Sequence, residues 1–208
     1  MQRPVYLFSI SSHPDAISVN SLDITFFKPD IDFSKYDYFI ITSKQASKAL
    51  QQYKKESYID IPALCISQQS AKSYESLGGK VIGIGQGYGD SLEANIKKYP
   101  KDTKWLYLRA KIIASDFVQK CKKDAYNIDE LIVYESECSK KILNTKVEDN
   151  AILIFTSPSS VQCFLKNSDI KTTHKVIVIG KTTAKALPES ITYTIAQEPT
   201  IKSCFKHI

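Results

Sequence analysis

The stretch "NAILIFTSPSSVQCFL", residues 150–165, decides the fold class of this chain. It begins with an unbroken apolar run, which is typical of a strand that is buried on both faces of a parallel sheet. After Thr156, Ser157 and Pro158 the apolar residues recur at helical spacing. Hydroxyl side chains followed by proline are typical of the N-terminus of a helix. The stretch therefore predicts a strand that passes directly into a helix.

The same pattern occurs earlier in the chain, in "YFIITSKQASKAL" at residues 38–50. A second pair of similar segments follows, "ALCISQQSAKSY" at residues 63–74 and "VIVIGKTTAKAL" at residues 176–187. One such pair could arise by chance, but two pairs with nearly equal spacing indicate an internal repeat. The chain is therefore predicted to contain two similar α/β units.

Hydroxyl residues mark four predicted junctions between a strand and a helix, at Ser43, Ser70, Ser157 and Thr183. The first N–H groups of a helix have no partner within the helix, and the helix dipole adds partial positive charge there. Such junctions bind anions, and ligands of α/β sheets lie beyond the carboxyl ends of the strands. Simple capping of each helix is the alternative interpretation. If the junctions act together, the expected ligand carries several carboxylates or phosphates.

Strands and helices alternate along the rest of the chain, which predicts an α/β fold with crossover connections. Ten strands are many for a single open sheet, and we predict two sheets of five strands each. The predicted strands are Val5–Ser9, Ile24–Phe27, Tyr38–Thr42, Ala63–Ser67, Lys80–Ile84, Trp105–Arg109, Glu130–Tyr134, Ala151–Phe155, Lys175–Ile179 and Thr192–Ala196.

The composition is that of an ordinary globular chain of 208 residues, with 43% hydrophobic and 24% charged residues. No apolar run approaches the roughly 18 residues of a membrane span, and the N-terminal segment lacks the pattern of a signal peptide. We therefore expect a cytoplasmic protein without a membrane segment. The formal charge of +6 suits an anionic ligand. Nucleic-acid binding is not expected, since the chain has no long basic run with interleaved aromatic residues.

Cysteine and histidine usage argues against a metal site. The five cysteines are an odd number without CxxC spacing, so neither a zinc site nor a disulfide framework is predicted, and buried free thiols are expected. The three histidines are scattered, which also argues against a histidine-centred catalytic triad. These residues are Cys65, Cys121, Cys138, Cys163, Cys204, His13, His174 and His207.

The glycine-rich segment "GIGQGYGD", residues 83–90, does not match the G-x-G-x-x-G fingerprint of dinucleotide-binding folds. The acidic residue that this fingerprint requires at the end of a second strand is also missing. The chain contains neither GxxxxGK[ST] nor GxSxG, so a P-loop ATPase and a serine hydrolase are not predicted. We interpret the segment as a flexible loop after a strand.

Together these segments resemble the uroporphyrinogen-III synthase family over nearly the whole chain. Each motif is short, and the order and spacing of the motifs carry the resemblance. Ser67 and Ser70 stand where the family usually has glycine and threonine, and Gln45 stands where it has a basic residue, with Lys44 nearest. Pro188 implies a shorter helix than is common in the family. The motifs are, in chain order, "VYLFS", "YDYFIITSKQA", "ALCISQQSAKSYESLG", "GDSLEANI", "WLYLRA", "ELIVYES", "ILIFTSPSSV", "VIVIGKTTAKAL" and "AQEPTIKSCFKHI".

The resemblance implies a fold of two flavodoxin-like lobes, each with a mainly parallel five-stranded sheet flanked by helices. In this family the chain starts in one domain, forms the whole of the second and then returns, so that a two-stranded linker joins the lobes. Two thin connections predict a hinge. The implied domains are residues 1–29 with 139–208 and residues 33–134, with linkers near residues 30–33 and 135–139.

The resemblance also implies the reaction, which is the cyclisation of hydroxymethylbilane to uroporphyrinogen III with inversion of ring D and loss of water, in tetrapyrrole (heme) biosynthesis. The family uses no metal or organic cofactor. The substrate is a linear tetrapyrrole with many carboxylates, which fits the hydroxyl-rich junctions. We expect a monomeric lyase that makes transient contact with the upstream hydroxymethylbilane synthase.

Tyr134, at the end of the predicted strand in "ELIVYES", matches a tyrosine that the family places in its cleft. The resemblance implies that it donates a hydrogen bond to the departing hydroxyl, with Thr183 as a second catalytic candidate. Packing of Tyr134 at the hinge is the alternative. Lys175 matches a family lysine, although it is equally consistent with a surface position. The implied substrate-binding residues are Ser43, Lys44, Ser70, Ser157, Ser159, Ser160, Lys175, Lys181 and Thr182.

Two other functions fit parts of the pattern. A non-catalytic two-lobed binding protein for a polyanionic small molecule would share the repeat, the hinge and the anion-binding junctions. Such proteins are usually exported, and no signal peptide is predicted here. A flavodoxin-like electron carrier would need a phosphate loop after the first strand, and "SISSHPD" at residues 9–15 is a weak candidate.

Overall fold

The computed structural model describes residues 3–113 and 115–208. The chain divides into two compact units. Unit 1 combines the residues up to Asp23 with those from Glu137 onwards, and unit 2 comprises Ile24–Ser136.

Eleven strands and eight α-helices form among the described residues. The strands are β1 (Val5–Phe8), β2 (Ile17–Val19), β3 (Leu22–Phe26), β4 (Tyr38–Ile41), β5 (Ala63–Cys65), β6 (Val81–Ile84), β7 (Trp105–Ala110), β8 (Ile128–Cys138), β9 (Ile152–Phe155), β10 (Lys175–Val178) and β11 (Tyr193–Ile195). The helices are α1 (Lys44–Leu50), α2 (Gln68–Glu75), α3 (Gly89–Ile96), α4 (Phe117–Lys123), α5 (Lys140–Asn144), α6 (Pro158–Leu165), α7 (Lys181–Ala184) and α8 (Ile201–Phe205).

Unit 1 contains a five-stranded sheet in the order β11-β10-β9-β1-β2, in which all neighbouring strands are parallel. Each face of the sheet carries its own part of the core. Phe8 and Phe155 stack with their ring centroids 4.9 Å apart on one face, and Leu7 and Ile154 are buried on the other. Both faces of β1 and β9 are thus covered, which explains the unbroken apolar runs and confirms the predicted parallel sheet.

Unit 2 contains a six-stranded sheet in the order β3-β8-β7-β4-β5-β6. The five strands from β8 to β6 are parallel to their neighbours. Strand β3 runs antiparallel to β8, because the N–H of Phe27 donates to the carbonyl of Val133 (2.9 Å) while the N–H of Ser139 donates to that of Ser21 (3.1 Å). The chain passes between the two units within β3 and within β8.

The strand count differs from the prediction in two places. The sheet of unit 2 has six strands instead of five, because the strand predicted at Ile24–Phe27 is found as β3 and pairs with β8. Its predicted place in the first sheet is taken by β2, which sequence reasoning missed. A strand of three residues, of which only Val19 is buried, is too short to show a hydrophobic period.

Two cysteines correct a prediction made from composition. Cys138, at the end of β8, and Cys163, in α6, form a disulfide with their Cα atoms 5.3 Å apart, whereas the sequence predicts free thiols. The two residues lie 25 positions apart without a motif, so only the fold brings them together. Cys65, Cys121 and Cys204 are free and buried, as predicted.

Reduction of the Cys138–Cys163 disulfide is expected to lower the free energy of unfolding of unit 1 by about 3 kcal/mol. The reason is that the cross-link restricts the unfolded chain over the 25 positions that separate the two cysteines. Urea denaturation with and without dithiothreitol, followed by circular dichroism, measures this change. Cys163→Ser is the control, since reductant should not move its midpoint further. An unchanged midpoint for the unmodified chain would contradict the prediction.

Candidate active site

In each sheet the carboxyl ends of the parallel strands lie on the same side, which we call the carboxyl edge. In both units helices begin there. In unit 2, β4 ends at Ile41 and α1 begins at Lys44. Between them lies the cap residue Ser43, whose Oγ accepts a hydrogen bond from the N–H of Gln45 (3.1 Å). The equivalent cap in unit 1 is Ser157, between β9 and α6. The predicted junctions at Ser43 and Ser157 are therefore helix N-termini.

Capping boxes occupy the hydroxyls of Ser70 and Ser160. In α6 the Oγ of Ser157 accepts from the N–H of Ser160 (3.1 Å), while the Oγ of Ser160 accepts from the N–H of Ser157 (3.2 Å) and donates to its carbonyl (2.7 Å). Ser67 and Ser70 form the same arrangement at the start of α2. Ser70 and Ser160 are also buried. Capping explains their geometry, and ligand contact by these two side chains stays a prediction.

The junction between β10 and α7 is built differently. Gly180 is the cap residue and supplies no side chain. Lys181 and Thr182 are exposed, whereas Thr183 is buried and its N–H donates to the carbonyl of Gly180 (3.1 Å). Helix α7 has only four residues, which confirms the short helix predicted from Pro188. Lys181 and Thr182 are thus side chains that a solute can reach at this junction.

Lys175 lies at the opposite side of the same sheet, where the parallel strands begin. It is the first residue of β10 and pairs with Ile152, the first residue of β9. Ser157 and Lys181, by contrast, follow the last residues of these strands, about 10 Å further along them. Lys175 is therefore separated from the candidate residues at the carboxyl edges. Those residues are Ser157, Ser159, Ser160, Lys181, Thr182 and Thr183 in unit 1 and Ser43, Lys44, Ser70 and Tyr134 in unit 2.

A cavity of about 570 Å³ opens at the carboxyl edge of unit 2. It is lined by residues just after β4 and β5, by residues of β7 and β8, by the segment that leads into α3, and by α4 with the residues just before it. Thr42, Tyr107 and Tyr134 contribute hydroxyl-bearing side chains to the lining, and Ile66 and Phe117 contribute apolar ones. A cavity of this size falls within the range of small-molecule sites. The predicted catalytic tyrosine therefore borders a space that a ligand can occupy.

Tyr134 is buried, and the side chain of Ser43 is beside it. Burial raises the pKa of the Tyr134 phenol above its ordinary value of 10.0, and the neighbouring side chain of Ser43 offsets only part of this rise. The pairing of β7 with β8 shifts register where Ala110 meets Tyr134, and such bulges redirect side chains. Tyr134 is thus a neutral hydrogen-bond donor at neutral pH.

The charged side chains of the cavity are paired with one another. The Nζ of Lys120, in α4, lies 3.1 Å from a carboxylate oxygen of Asp90 and 3.1 Å from one of Asp116. Hydrogen bonds to Asp90 and Asp116 raise the pKa of Lys120, so this ammonium stays charged. Because two carboxylates surround one ammonium, this wall offers no surplus positive charge. A carboxylate bound in the cavity would depend on hydroxyl and N–H donors.

Sequence reasoning missed Tyr107 and the glycine segment as parts of the cavity. Tyr107 lies inside the strand motif "WLYLRA", where an aromatic residue is ordinarily part of the core. Gly87, Tyr88 and Gly89 line the cavity, although the sequence suggests only a flexible loop. A Cβ on Gly89 would collide with the side chain of Ser115, so the close approach of the segment before α4 favours glycine here. A single sequence gives no signal for that contact.

The described residues offer no metal cluster, membrane-spanning helix or flavin phosphate loop. Among residues 3–113 and 115–208, no three or more histidine, cysteine, aspartate or glutamate side chains are grouped so that they could hold a metal ion. Within the part of the chain that the structure describes, no helix has the length and apolar character needed to cross a membrane. The segment "SISSHPD" leads from β1 into β2 without a helix. It therefore lacks the helix N-terminus on which a phosphate loop depends.

These features define a two-unit α/β protein with hydroxyl-rich helix N-termini at the carboxyl edge of each parallel sheet. The family model of uroporphyrinogen-III synthase HemD matches residues 15–206. The chain therefore belongs to the uroporphyrinogen-III synthase family. It is an enzyme of that family, a hydro-lyase that cyclises hydroxymethylbilane in tetrapyrrole biosynthesis.

Solved structures with the same fold come from two bacteria. The chain is similar to a uroporphyrinogen-III synthetase from Helicobacter pylori, with 24% identity and a TM-score of 0.81 over 99% of this chain and 98% of that one. It is also similar to a mutant uroporphyrinogen III synthase from the extremely thermophilic bacterium Thermus thermophilus, with 13% identity and a TM-score of 0.67 over 99% of this chain and 97% of that one. Both likenesses confirm the predicted fold class. A search among curated protein sequences finds no match.

Proposed function

We propose that the chain binds its linear tetrapyrrole substrate at the carboxyl edges of both sheets and closes it to uroporphyrinogen III, with inversion of ring D and loss of water. The observation that carries this proposal is the family match over residues 15–206. The geometry supports it, because helix N-termini open at that edge in each unit. Such N-termini attract carboxylates.

The two edges have different parts in this proposal. Unit 1 offers an exposed edge, with Lys181 and Thr182 at the start of α7, and we assign it to binding of substrate carboxylates. Unit 2 offers the cavity with Tyr134, whose apolar walls suit a pyrrole ring. We assign departure of the substrate hydroxyl to Tyr134. Thr183 is the weaker catalytic candidate, since its side chain is buried.

Catalysis in this proposal is chiefly a matter of positioning. The terminal ring must react through its substituted carbon, which gives a spiro intermediate, and holding the reacting atoms in line can lower the barrier by several kcal/mol. Departure of the hydroxyl gains from a hydrogen-bond donor. Tyr134 suits that role, because its phenol borders the cavity and its raised pKa keeps it protonated.

A coupled assay tests this function. Freshly generated hydroxymethylbilane is given to the protein, and the type I and type III isomers are separated after oxidation. The free bilane closes spontaneously to the type I isomer, so type III product above the protein-free control reports catalysis. Binding of the bilane without type III product would favour the polyanion-binding alternative. A protein that neither binds nor converts the bilane would refute the proposal.

Three finer points belong to the same proposal. The chain acts as a monomer, receives its substrate by transient contact with the upstream hydroxymethylbilane synthase and works in the cytoplasm. Sedimentation of the purified chain, alone and with that synthase, tests the first two points. The third implies that Cys138 and Cys163 are mostly dithiol in the cell, since cytosolic thiols are kept reduced.

Lys181→Gln is expected to raise the KM for hydroxymethylbilane about threefold and to weaken the salt dependence of KM. The reason is that an exposed ammonium beside a helix N-terminus attracts a carboxylate modestly. This attraction weakens as the Debye length shortens from about 10 Å at 0.1 M salt to about 3 Å at 1 M. KM is therefore measured across that range of salt concentration for the variant and for the unmodified chain.

Lys175→Gln is the matched control, because this lysine belongs to the same unit but lies at the opposite edge of the sheet. Its KM should follow that of the unmodified chain at every salt concentration. Equal effects of the two substitutions would argue against the carboxyl edge of unit 1 as the binding surface.

A further inference from the structure

Three tyrosines line the cavity of unit 2, and two of them, Tyr107 and Tyr134, are buried. The Oη of Tyr107 lies 3.1 Å from the Oγ1 of Thr42. The next residue, Ser43, is beside Tyr134, and its side chain offsets part of the rise that burial causes in the pKa of that phenol. The function proposed above uses the second of these pairs and gives the first no role.

Tyr107 is held firmly at the cavity. It is buried, and it pairs with Ile40 across the ladder between β4 and β7. Thr42 follows Ile40 by two residues and therefore lies on the same side of the chain. The ring of Phe117, in α4, packs against that of Tyr107 with the centroids 5.2 Å apart. The sheet and α4 thus fix the ring of Tyr107, while its hydroxyl meets that of Thr42.

The hydrogen bond between these two hydroxyls uses only one of their two protons, so one O–H group remains available to a ligand. If Tyr107 donates to Thr42, the proton of Thr42 is left over, and if Thr42 donates, the proton of Tyr107 is left over. Burial raises the pKa of Tyr107, so the phenol keeps its proton. Because Lys120 is already shared between two carboxylates, an anionic group in the cavity needs a donor of this kind.

We propose that Tyr107 and Thr42 form a carboxylate-binding pair, whose spare O–H donates to a side-chain carboxylate of the pyrrole ring in the cavity. Tyr107 is a positioning residue in this pair, because its ring is fixed and it directs the hydroxyl of Thr42. The inference rests on the proposed function, since it takes hydroxymethylbilane as the ligand. The pair orients the ring, and Tyr134 assists departure of the hydroxyl. It therefore contributes to substrate affinity and leaves the chemical step to other groups.

Tyr107→Phe and Thr42→Val each remove one hydroxyl and keep the shape of the side chain. Either substitution leaves the other hydroxyl without its partner, free to turn away from the ligand. We expect each to raise the KM for hydroxymethylbilane about tenfold with kcat changed less than about threefold, because the bond to the carboxylate is lost from ground state and transition state alike. The double variant should fall well short of the product of the single effects, since the two hydroxyls act as a unit.

Tyr126→Phe is the matched control. Its hydroxyl donates to the carbonyl of Lys97 (3.3 Å), and the residue does not belong to the cavity lining. Its KM should equal that of the unmodified chain. Circular dichroism checks that each variant is folded, and Thr42→Val, at a partly exposed position, keeps the test open should Tyr107→Phe fail to fold.

The outcomes separate this inference from the proposed function. Unchanged KM in folded Tyr107→Phe and Thr42→Val would overturn the inference while the unmodified chain still makes the type III isomer. A fall in kcat at constant KM would overturn it as well, because the pair would then act in the chemical step. Failure of the unmodified chain to form the type III isomer would instead refute the proposed function.

Discussion

Tyr134→Phe is expected to lower kcat for formation of the type III isomer about 100-fold or more, with KM changed little. The substitution keeps the buried ring and removes only the hydroxyl of a residue that lines the cavity. Positioned proton donors contribute about 10² to 10⁴ in rate. An interaction made only in the transition state lowers kcat and kcat/KM together. Single-turnover formation of the type III isomer, corrected for spontaneous type I closure, measures the effect.

Tyr74→Phe is the matched control for loss of a buried phenol. Its hydroxyl donates to the carbonyl of Ile61 (2.7 Å), and Tyr74 is not among the residues that line the cavity. The substitution should cost about 1 kcal/mol of stability and leave kcat near that of the unmodified chain. If Tyr134→Phe is folded and also keeps its kcat and KM, then Tyr134 is a packing residue of β8 and catalysis depends on positioning alone.

The pH dependence checks the same group independently. Burial raises the pKa of Tyr134 above 10.0, so kcat should show no loss of this donor from neutral pH to about pH 9. Since the folded state raises the pKa, the phenol's contribution to stability is present below pH 10 and is lost as the pH rises through the raised value. A fall in kcat well below pH 9 that Tyr134→Phe abolishes would contradict a buried neutral donor.

Local sequence predicts the strands and helices of this fold better than it predicts the contacts between distant residues. Unbroken apolar runs at β4 and β9 are enough to indicate a covered parallel sheet, because burial on both faces demands an apolar residue at every position. Strand β2 cannot be predicted from the sequence, because it has three residues and Ile17 among them is exposed. The disulfide cannot be predicted for another reason, since Cys138 and Cys163 share no motif and only the fold brings them together.

The residues of the candidate site also fall into those that local sequence predicts and those that it does not. Ser43 and Ser157 can be predicted as helix caps, because capping depends on a few neighbouring residues. The predicted strand Lys175–Ile179 already places Lys175 at its start and Lys181 after its end, and the structure shows the two lysines at opposite ends of β10. Tyr107 becomes a candidate only when Thr42 is seen beside it. Burial and neighbours from distant segments decide its role, and no local pattern encodes it.

Phe155→Ala is expected to lower the free energy of unfolding of unit 1 by about 4 kcal/mol, because it removes a fully buried ring and leaves a cavity. The ring of Phe155 lies 4.9 Å from that of Phe8 and 5.5 Å from that of Phe164. Phe155 also ends β9 immediately before the Ser157 cap region. The substitution therefore weakens the core of unit 1 directly beneath its candidate binding edge.

The two units should respond to this substitution separately, because each hydrophobic cluster among the described residues lies within a single unit. Domains with their own cores unfold as separate cooperative units. Trp105 is the one tryptophan in the sequence and is buried in unit 2, so its fluorescence reports that unit.

In urea, circular dichroism of Phe155→Ala should reveal an early transition, while the fluorescence midpoint of Trp105 stays unchanged. Leu92→Ala, in the core of unit 2, should move the fluorescence midpoint instead. Coincident shifts of both signals in Phe155→Ala would mean that the units unfold together, which would contradict the predicted organisation into two domains.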